Sequence, residues 1–282
     1  MTQLDMTDDT YHPGARYALP RNQSEFDRLN VQHKYLTKVI CDGGLLCDKS
    51  IKLGENCCVL DSGTGTGIWA IDLANVVPKT AEIHACDVSD VNLTPNFPPQ
   101  IHFSIASVTS LPLEWSNKFE LVNQRFLSGA LLAPEWQKAL AEIYRVLNPG
   151  GAVQIMELDP RRVVPDTKVA TQVCAAMTKA CDMLGLQIDV TEHVSELLRE
   201  AGFVDIVHET KRAPVGKTWG ETGVQGTLSF AGAFRNLSGI MVKVGLFSSE
   251  EEYLRLADKL PEEWDTHGSH FLCTIATARK PV

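Results

Sequence analysis

No stretch of this chain gathers lysine and arginine into a run. Its 26 basic residues are scattered and outnumbered by 35 acidic ones, for a formal charge of −9. A nucleic-acid backbone is bound through clustered cations, so that partner is disfavoured. The acidity itself names no partner and serves solubility. Any apolar run long enough to span a membrane is also missing. The eight cysteines include no C-x-x-C pair, and none stands with histidine at zinc-ligand spacing. No metal is therefore expected, and the thiols are expected to be reduced and mostly buried, as in a cytoplasmic or nuclear protein. Met1 to Thr10 is polar and acidic, with no targeting signal to be seen. Internal repeats and low-complexity segments are absent as well.

What the chain does have is alternation. At 282 residues and 44% hydrophobic it suits one large α/β domain. Residues 1–21 read as a loose arm, broken by Pro13, Gly14 and Pro20. Phe26, Leu29, His33, Leu36 and Ile40 then repeat at helical spacing. Strand signals follow at 57–60, 81–86, 101–105, 119–122, 152–156, from 203, and at 271–276. Helix signals lie between them up to 76, at 135–147, 168–184 and about 190–201. Alternating β and α units imply a mostly parallel sheet wound on both faces. Residues 1–50 form an arm and cap helix in this reading, and 51–282 the main domain, with an insertion at about 213–269.

The most informative run is Val59-Leu60-Asp61-Ser62-Gly63-Thr64-Gly65-Thr66-Gly67-Ile68-Trp69-Ala70. A short apolar strand ends in an acid, and three glycines at alternate positions lead into a helix. Such glycines let the backbone pass close to a ligand at the helix N-terminus. A dinucleotide fingerprint, G-x-G-x-x-G, would need its third glycine at residue 68, which is Ile68. Asp61 would also repel a pyrophosphate, whereas it suits the ammonium of a methionyl group. The bland alternative is a tight turn with no ligand. Asp87, ending the second strand, is placed to accept from ribose hydroxyls, or is simply a solvated strand end.

D-x-G-x-G-x-G resembles motif I of the class I S-adenosylmethionine (SAM)-dependent methyltransferases. Phe119-Glu120-Leu121-Val122 and Leu147-Asn148-Pro149-Gly150-Gly151 are similar to later landmarks of that superfamily. Tyr17-Ala18-Leu19-Pro20, Glu25-Phe26-Asp27-Arg28-Leu29, Gln32-His33, Gln124-Arg125 and Glu263-Trp264-Asp265-Thr266-His267-Gly268 resemble a fungal group related to LaeA and, more distantly, trans-aconitate methyltransferase. The resemblance implies a Rossmann-like, seven-stranded sheet with an antiparallel last strand. It further implies SAM as cofactor, S-adenosyl-L-homocysteine as product, and a role in secondary metabolism. Two positions depart from the pattern: Ser107 stands where many relatives have an acid, and Asn123 where close relatives have histidine.

On this reading the cofactor-binding residues are Tyr17, Asp61, Gly63, Thr64, Gly65, Gly67, Asp87, Val88, Ala106, Ser107, Val108 and Asn123. Ser107 has an alternative as a turn hydroxyl bonding its own backbone. Candidates for general base or substrate ligand are His33, Glu157 and His267, with Asp159 following Glu157 after strand five and His193 a possible neighbour on the same edge. His33 also has a bland reading as a core residue on the apolar stripe. The insertion, with Leu228, Phe230, Phe234, Leu237 and Met241 at helical spacing, is expected to be a substrate lid with apolar walls, or else a dimer interface. The favoured function is methyl transfer to oxygen, carboxylate or nitrogen of a small molecule. A LaeA-like regulatory protein, or the fold with other or lost chemistry, stands second.

Overall fold

The computed structural model describes residues 22–282, so Tyr17 lies outside the described residues. Asn22 opens helix α1 (Gln23–Val39) by accepting from the Glu25 N–H at 3.0 Å, an N-terminal cap. The next elements alternate: β1 (Cys58–Ser62), α2 (Ile68–Val76), β2 (Glu82–Asp87), β3 (Ile101–Ile105), β4 (Phe119–Arg125), α3 (Ala133–Val146) and β5 (Leu147–Val164). Then come α4 (Lys168–Leu184), α5 (Val190–Glu200), β6 (Val204–Pro214), four helices α6 (Gly220–Asn236), α7 (Ser238–Lys243), α8 (Glu250–Ala257) and α9 (Leu260–His267), and β7 (His270–Arg279).

The strands form one seven-stranded sheet in the order β3-β2-β1-β4-β5-β7-β6. Strands β1 to β5 run parallel, and β7 lies antiparallel between β5 and β6. This is the doubly wound sheet expected from the alternation. Strand order reverses between β1 and β4, so their carboxyl ends diverge into a crevice. Every residue of β1 is buried, as a central strand covered by helices on both faces requires.

Helix α1 is fastened to α6 through polar groups as well as packing. The Arg28 guanidinium donates to both Glu25 carboxylate oxygens at 2.6 and 2.7 Å and to the Ser229 carbonyl at 3.3 Å. Asn236 Nδ2 donates to the same carboxylate at 2.7 Å. Close approach of α6 to β6 depends on Gly226, where a Cβ would lie 2.1 Å from the Pro214 carbonyl oxygen. Tyr35 of α1 donates to that same carbonyl at 2.6 Å.

One expectation needs correction. Cys41 and Cys47 form a disulfide, because the turn at Gly43-Gly44 brings their Cα atoms to 4.9 Å; the other six cysteines are free and buried. None of the described residues of the segment between β6 and β7, expected as a lid, lines the cavity. It leaves the sheet at the β7-β6 end, two strands away from β4. Its buried Phe230 and Phe234 pack with Tyr35, Leu36, Trp264 and Phe271 instead, so it braces α1 from behind.

Candidate functional site

A cavity of about 360 Å³ opens at the carboxyl ends of β1, β2 and β4, within the size range of small-ligand sites. Its floor is the glycine turn. Gly63 and Gly65 have φ of +71° and +59°, and both line the cavity. A Cβ on Gly65 would meet nothing within 4 Å, whereas one on Gly63 would press on Leu127 at 3.1 Å. The Gly63 and Thr64 N–H groups both donate to the Cys86 carbonyl at 2.9 Å, which ties the turn to β2.

Asp61 is buried at the cavity wall. Its carboxylate accepts from Thr64 Oγ1 at 2.5 Å and from Asn123 Nδ2 at 2.8 Å. Burial lifts this carboxyl above its ordinary range, while Arg125, Thr64 and Asn123 pull it back. Asp87 receives the Gly65 N–H at 2.8 Å and the Ser89 N–H at 3.3 Å. Beyond it, Val88, Ser89, Ser107, Val108 and Thr109 form the far wall. Ser107 accepts from the Thr109 N–H at 3.2 Å and shares a 2.8 Å hydrogen bond with its hydroxyl, so the turn-hydroxyl role and the wall role coincide.

The structure brings together Asp61, Gly63, Thr64, Gly65, Asp87, Val88, Ser107, Val108 and His33. Three residues expected with them stand one layer back. Asn123 is fully buried and holds Asp61 while accepting from Gln154 at 3.1 Å. Gly67, at φ +78°, caps α2, and a Cβ there would strike Phe97 at 2.6 Å. Ala106 serves by its N–H, which donates to the Asp87 carbonyl at 2.9 Å.

Glu157 and His267 lie away from the cavity. His267 is exposed at the end of α9. His193, on α5, is 3.4 Å from Asp189, and Asp159 is paired with Arg161 at 2.8 Å. Glu157 is buried beneath the loop after β4 and accepts from the Leu127 N–H at 2.7 Å and the Ser128 N–H at 3.2 Å. It shapes the loop rather than facing the cavity. Burial pushes its carboxyl up to about 7, against the pull of those N–H groups. Raised above its ordinary 4.5, it holds its proton longer in the folded than in the unfolded chain. Stability should therefore fall as pH rises from about 4.5 to about 7. Glu157→Gln is expected to remove this slope, on the order of 3 kcal/mol across the window. Unfolding midpoints measured over that pH range check it; parallel curves for both proteins would contradict it.

His33 of α1 differs from these. It lines the cavity, and its Nε2 lies 2.9 Å from Asp72 Oδ2. A carboxylate only accepts, so Nε2 carries the proton and Nδ1 keeps its lone pair. Nδ1 is buried with no partner among the described residues. Burial, followed by the charge of Arg125, lowers the imidazole to about 4 and keeps it neutral at pH 7.

Sequence reasoning passed over Leu29 and the loop residues Phe126, Leu127, Ala130 and Leu131, all of which line the cavity. Arg125 lines it too, although the sequence pointed to it only through a family resemblance. A Cys58, Glu82, His84 cluster within 4.8 Å lies at the opposite, amino-terminal edge of the sheet, where Lys118 is 3.7 Å from Glu82.

The geometry fits SAM on its own evidence. An acid beneath, an acid beside, a glycine floor open above Gly65 and a mixed apolar and polar wall suit a zwitterionic nucleoside. Comparison with known proteins agrees. Residues 59–151 match a family described as methyltransferase domain. The chain is 27% identical over 215 residues to methyltransferase pytC of Aspergillus terreus, covering 73% of this chain and 63% of that one, just under two-thirds of its length. It is 26% identical over 280 residues to N-methyltransferase tcpN of Claviceps purpurea, covering 92% of this chain and 95% of that one. It is also 26% identical over 296 residues to the secondary metabolism regulator laeA of Fusarium oxysporum, covering 96% and 89%. Among solved structures, phosphoethanolamine N-methyltransferase 2 of Haemonchus contortus, in complex with S-adenosyl-L-methionine, shares the fold at a TM-score of 0.50 and 17% identity, over 91% of this chain and 52% of that one.

Proposed function

We propose that this chain, a member of the SAM-dependent methyltransferases, methylates a nitrogen of a small, secondary-metabolite-type molecule. The observation that carries the reading is the cavity itself, with Asp61, the glycine floor and Asp87 on one side and the neutral His33 on another. Nitrogen is favoured because tcpN, described as an N-methyltransferase, aligns over nearly the whole of both chains. Bound in this cavity, SAM supplies an activated methyl group.

The chain's own residues then have defined tasks. Asp61 and the glycine turn hold the methionyl end, and Asp87 with Ser107 and Val108 holds the nucleoside. Leu29, Phe126 and Leu131 exclude water from the cavity. His33 at the cavity is the base for an acceptor-molecule N–H: Asp72 fixes the ring with Nδ1 unprotonated, and that nitrogen, buried in this structure, takes the proton once the bound acceptor reaches it. Methyl transfer needs chiefly alignment, so a lone positioned base is sufficient chemistry.

Incubating the protein with SAM and small-molecule extracts, followed by mass spectrometry, tests the function. A methylated small molecule supports it; methyl label found only on protein, or none released from bound SAM, contradicts it. Regulation of the kind named for laeA is the second reading, favoured by that relative's near-full-length match. In the presence of an acceptor so identified, His33→Ala is expected to lower kcat by about a hundredfold with S-adenosylhomocysteine affinity unchanged. An unaltered kcat in the folded variant would take His33 out of the chemistry.

A further inference from the structure

Arg125 is the last residue of β4, half-buried, and lines the cavity. Among the described residues its guanidinium makes no hydrogen bond or close ion pair, although Asp61 and Asp72 are near enough to act on it through their charge. A guanidinium that faces a cavity this way has its donors free for an anion, because buried arginine shares them with a carboxylate or phosphate. Register explains its position. Asp61 of β1 lies opposite Asn123 of β4, and Arg125 is two residues further on, so all three share one face of the sheet. Asn123 and Thr64 hold the Asp61 carboxylate on its side of the crevice. At Phe126, φ is +58° and the chain turns away, leaving Arg125 as the final strand residue before the capping loop. Two opposite charges thus face one cavity from adjacent strands without meeting.

We infer that Arg125 is the carboxylate-binding residue of the cavity and that, with Asp61, it clamps the amino and carboxylate groups at the methionyl end of SAM. This rests on the SAM-binding reading above. The planar guanidinium offers two parallel N–H donors to a carboxylate, while Asp61 accepts from the ammonium. The pairing gives recognition of an α-amino acid rather than of a nucleoside alone.

Calorimetry with two probes tests it: S-adenosylhomocysteine, which carries the amino-acid end, and 5′-methylthioadenosine, which lacks it. Arg125→Gln is expected to weaken S-adenosylhomocysteine binding by about 10- to 100-fold and to leave methylthioadenosine binding unchanged. Arg125→Lys should recover part of the loss, because it restores charge without the fork. Equal S-adenosylhomocysteine affinity in wild type and Arg125→Gln overturns the inference and leaves the carboxylate of an acceptor as its only anionic candidate. Equal loss of both probes also overturns it, since Arg125 would then support the fold of the cavity. If the wild-type protein binds neither probe, the cofactor reading itself fails, a result distinct from the other two.

Discussion

Asp61→Asn should bind S-adenosylhomocysteine about a hundredfold more weakly than the wild-type protein, with an unfolding midpoint shifted by only a few degrees. The substitution keeps the size of the side chain and one acceptor oxygen. Thr64 can rotate its hydroxyl to accept from the new amide, so the local network survives in altered form. What disappears is the negative charge, in a setting where little water screens it. An ammonium seated there would lose a charge-assisted partner while remaining desolvated. Titration calorimetry on the two proteins reads the difference. Matching affinities would mean that Asp61 only braces the turn, as a purely structural acid would.

The second large effect concerns how α1 is held. Glu25 is fully buried and serves three donor atoms: two from Arg28 and one from Asn236. Glu25→Ala strips them of their acceptor and leaves a guanidinium inside without its carboxylate. Breaking one side of a buried pair costs about 3–5 kcal/mol, a large share of the roughly 5–15 kcal/mol that keeps a domain folded. Replacing both partners, Glu25→Leu with Arg28→Met, should recover most of that loss. Denaturant unfolding of the single and double variants checks this. A single variant within about 0.5 kcal/mol of wild type would show that α1 is held by its apolar face alone. The result matters for the site because α1 carries Leu29, Gln32 and His33 into the cavity.

Much of this was legible in the chain, and the illegible parts have common physical causes. Buried parallel strands declare themselves as apolar runs, so β1 to β4 were placed closely. Strand β6 was glimpsed only at its start, because an edge strand exposes residues such as Asp205, Glu209 and Arg212 and lacks the apolar signature. Strand β5 was read as five residues but spans Leu147–Val164, since pairing with β7 carries it past Glu157 and Asp159 into a polar stretch. Helix α9 went unseen because it opens on Leu260-Pro261 and is acidic thereafter.

At the site, residues that shape the backbone were easiest to read. Glycine spacing and strand-end acids are local signals, and Asp61, Gly63, Gly65 and Asp87 all reached the cavity. Asn123 was assigned to the ligand, but its side chain lies behind Asp61, which only pairing register reveals. Glu157 ends in the expected region yet points beneath the loop it supports. The segment from β6 to β7 leaves the sheet edge that carries the site, but an edge is not a position along the sheet. With β7 and β6 at the far end of the strand order, the inserted helices pack against α1 and β7, and none of their described residues lines the cavity.

A crystal grown with S-adenosylhomocysteine addresses the central claim most directly: that the carboxyl ends of β1 and β2 hold an adenosyl amino acid. The expected density shows the ribose hydroxyls on Asp87, the adenine against Ser107 and Val108, and the amino group on Asp61. A cavity that stays empty at saturating ligand, or the nucleoside bound at another surface, would contradict it.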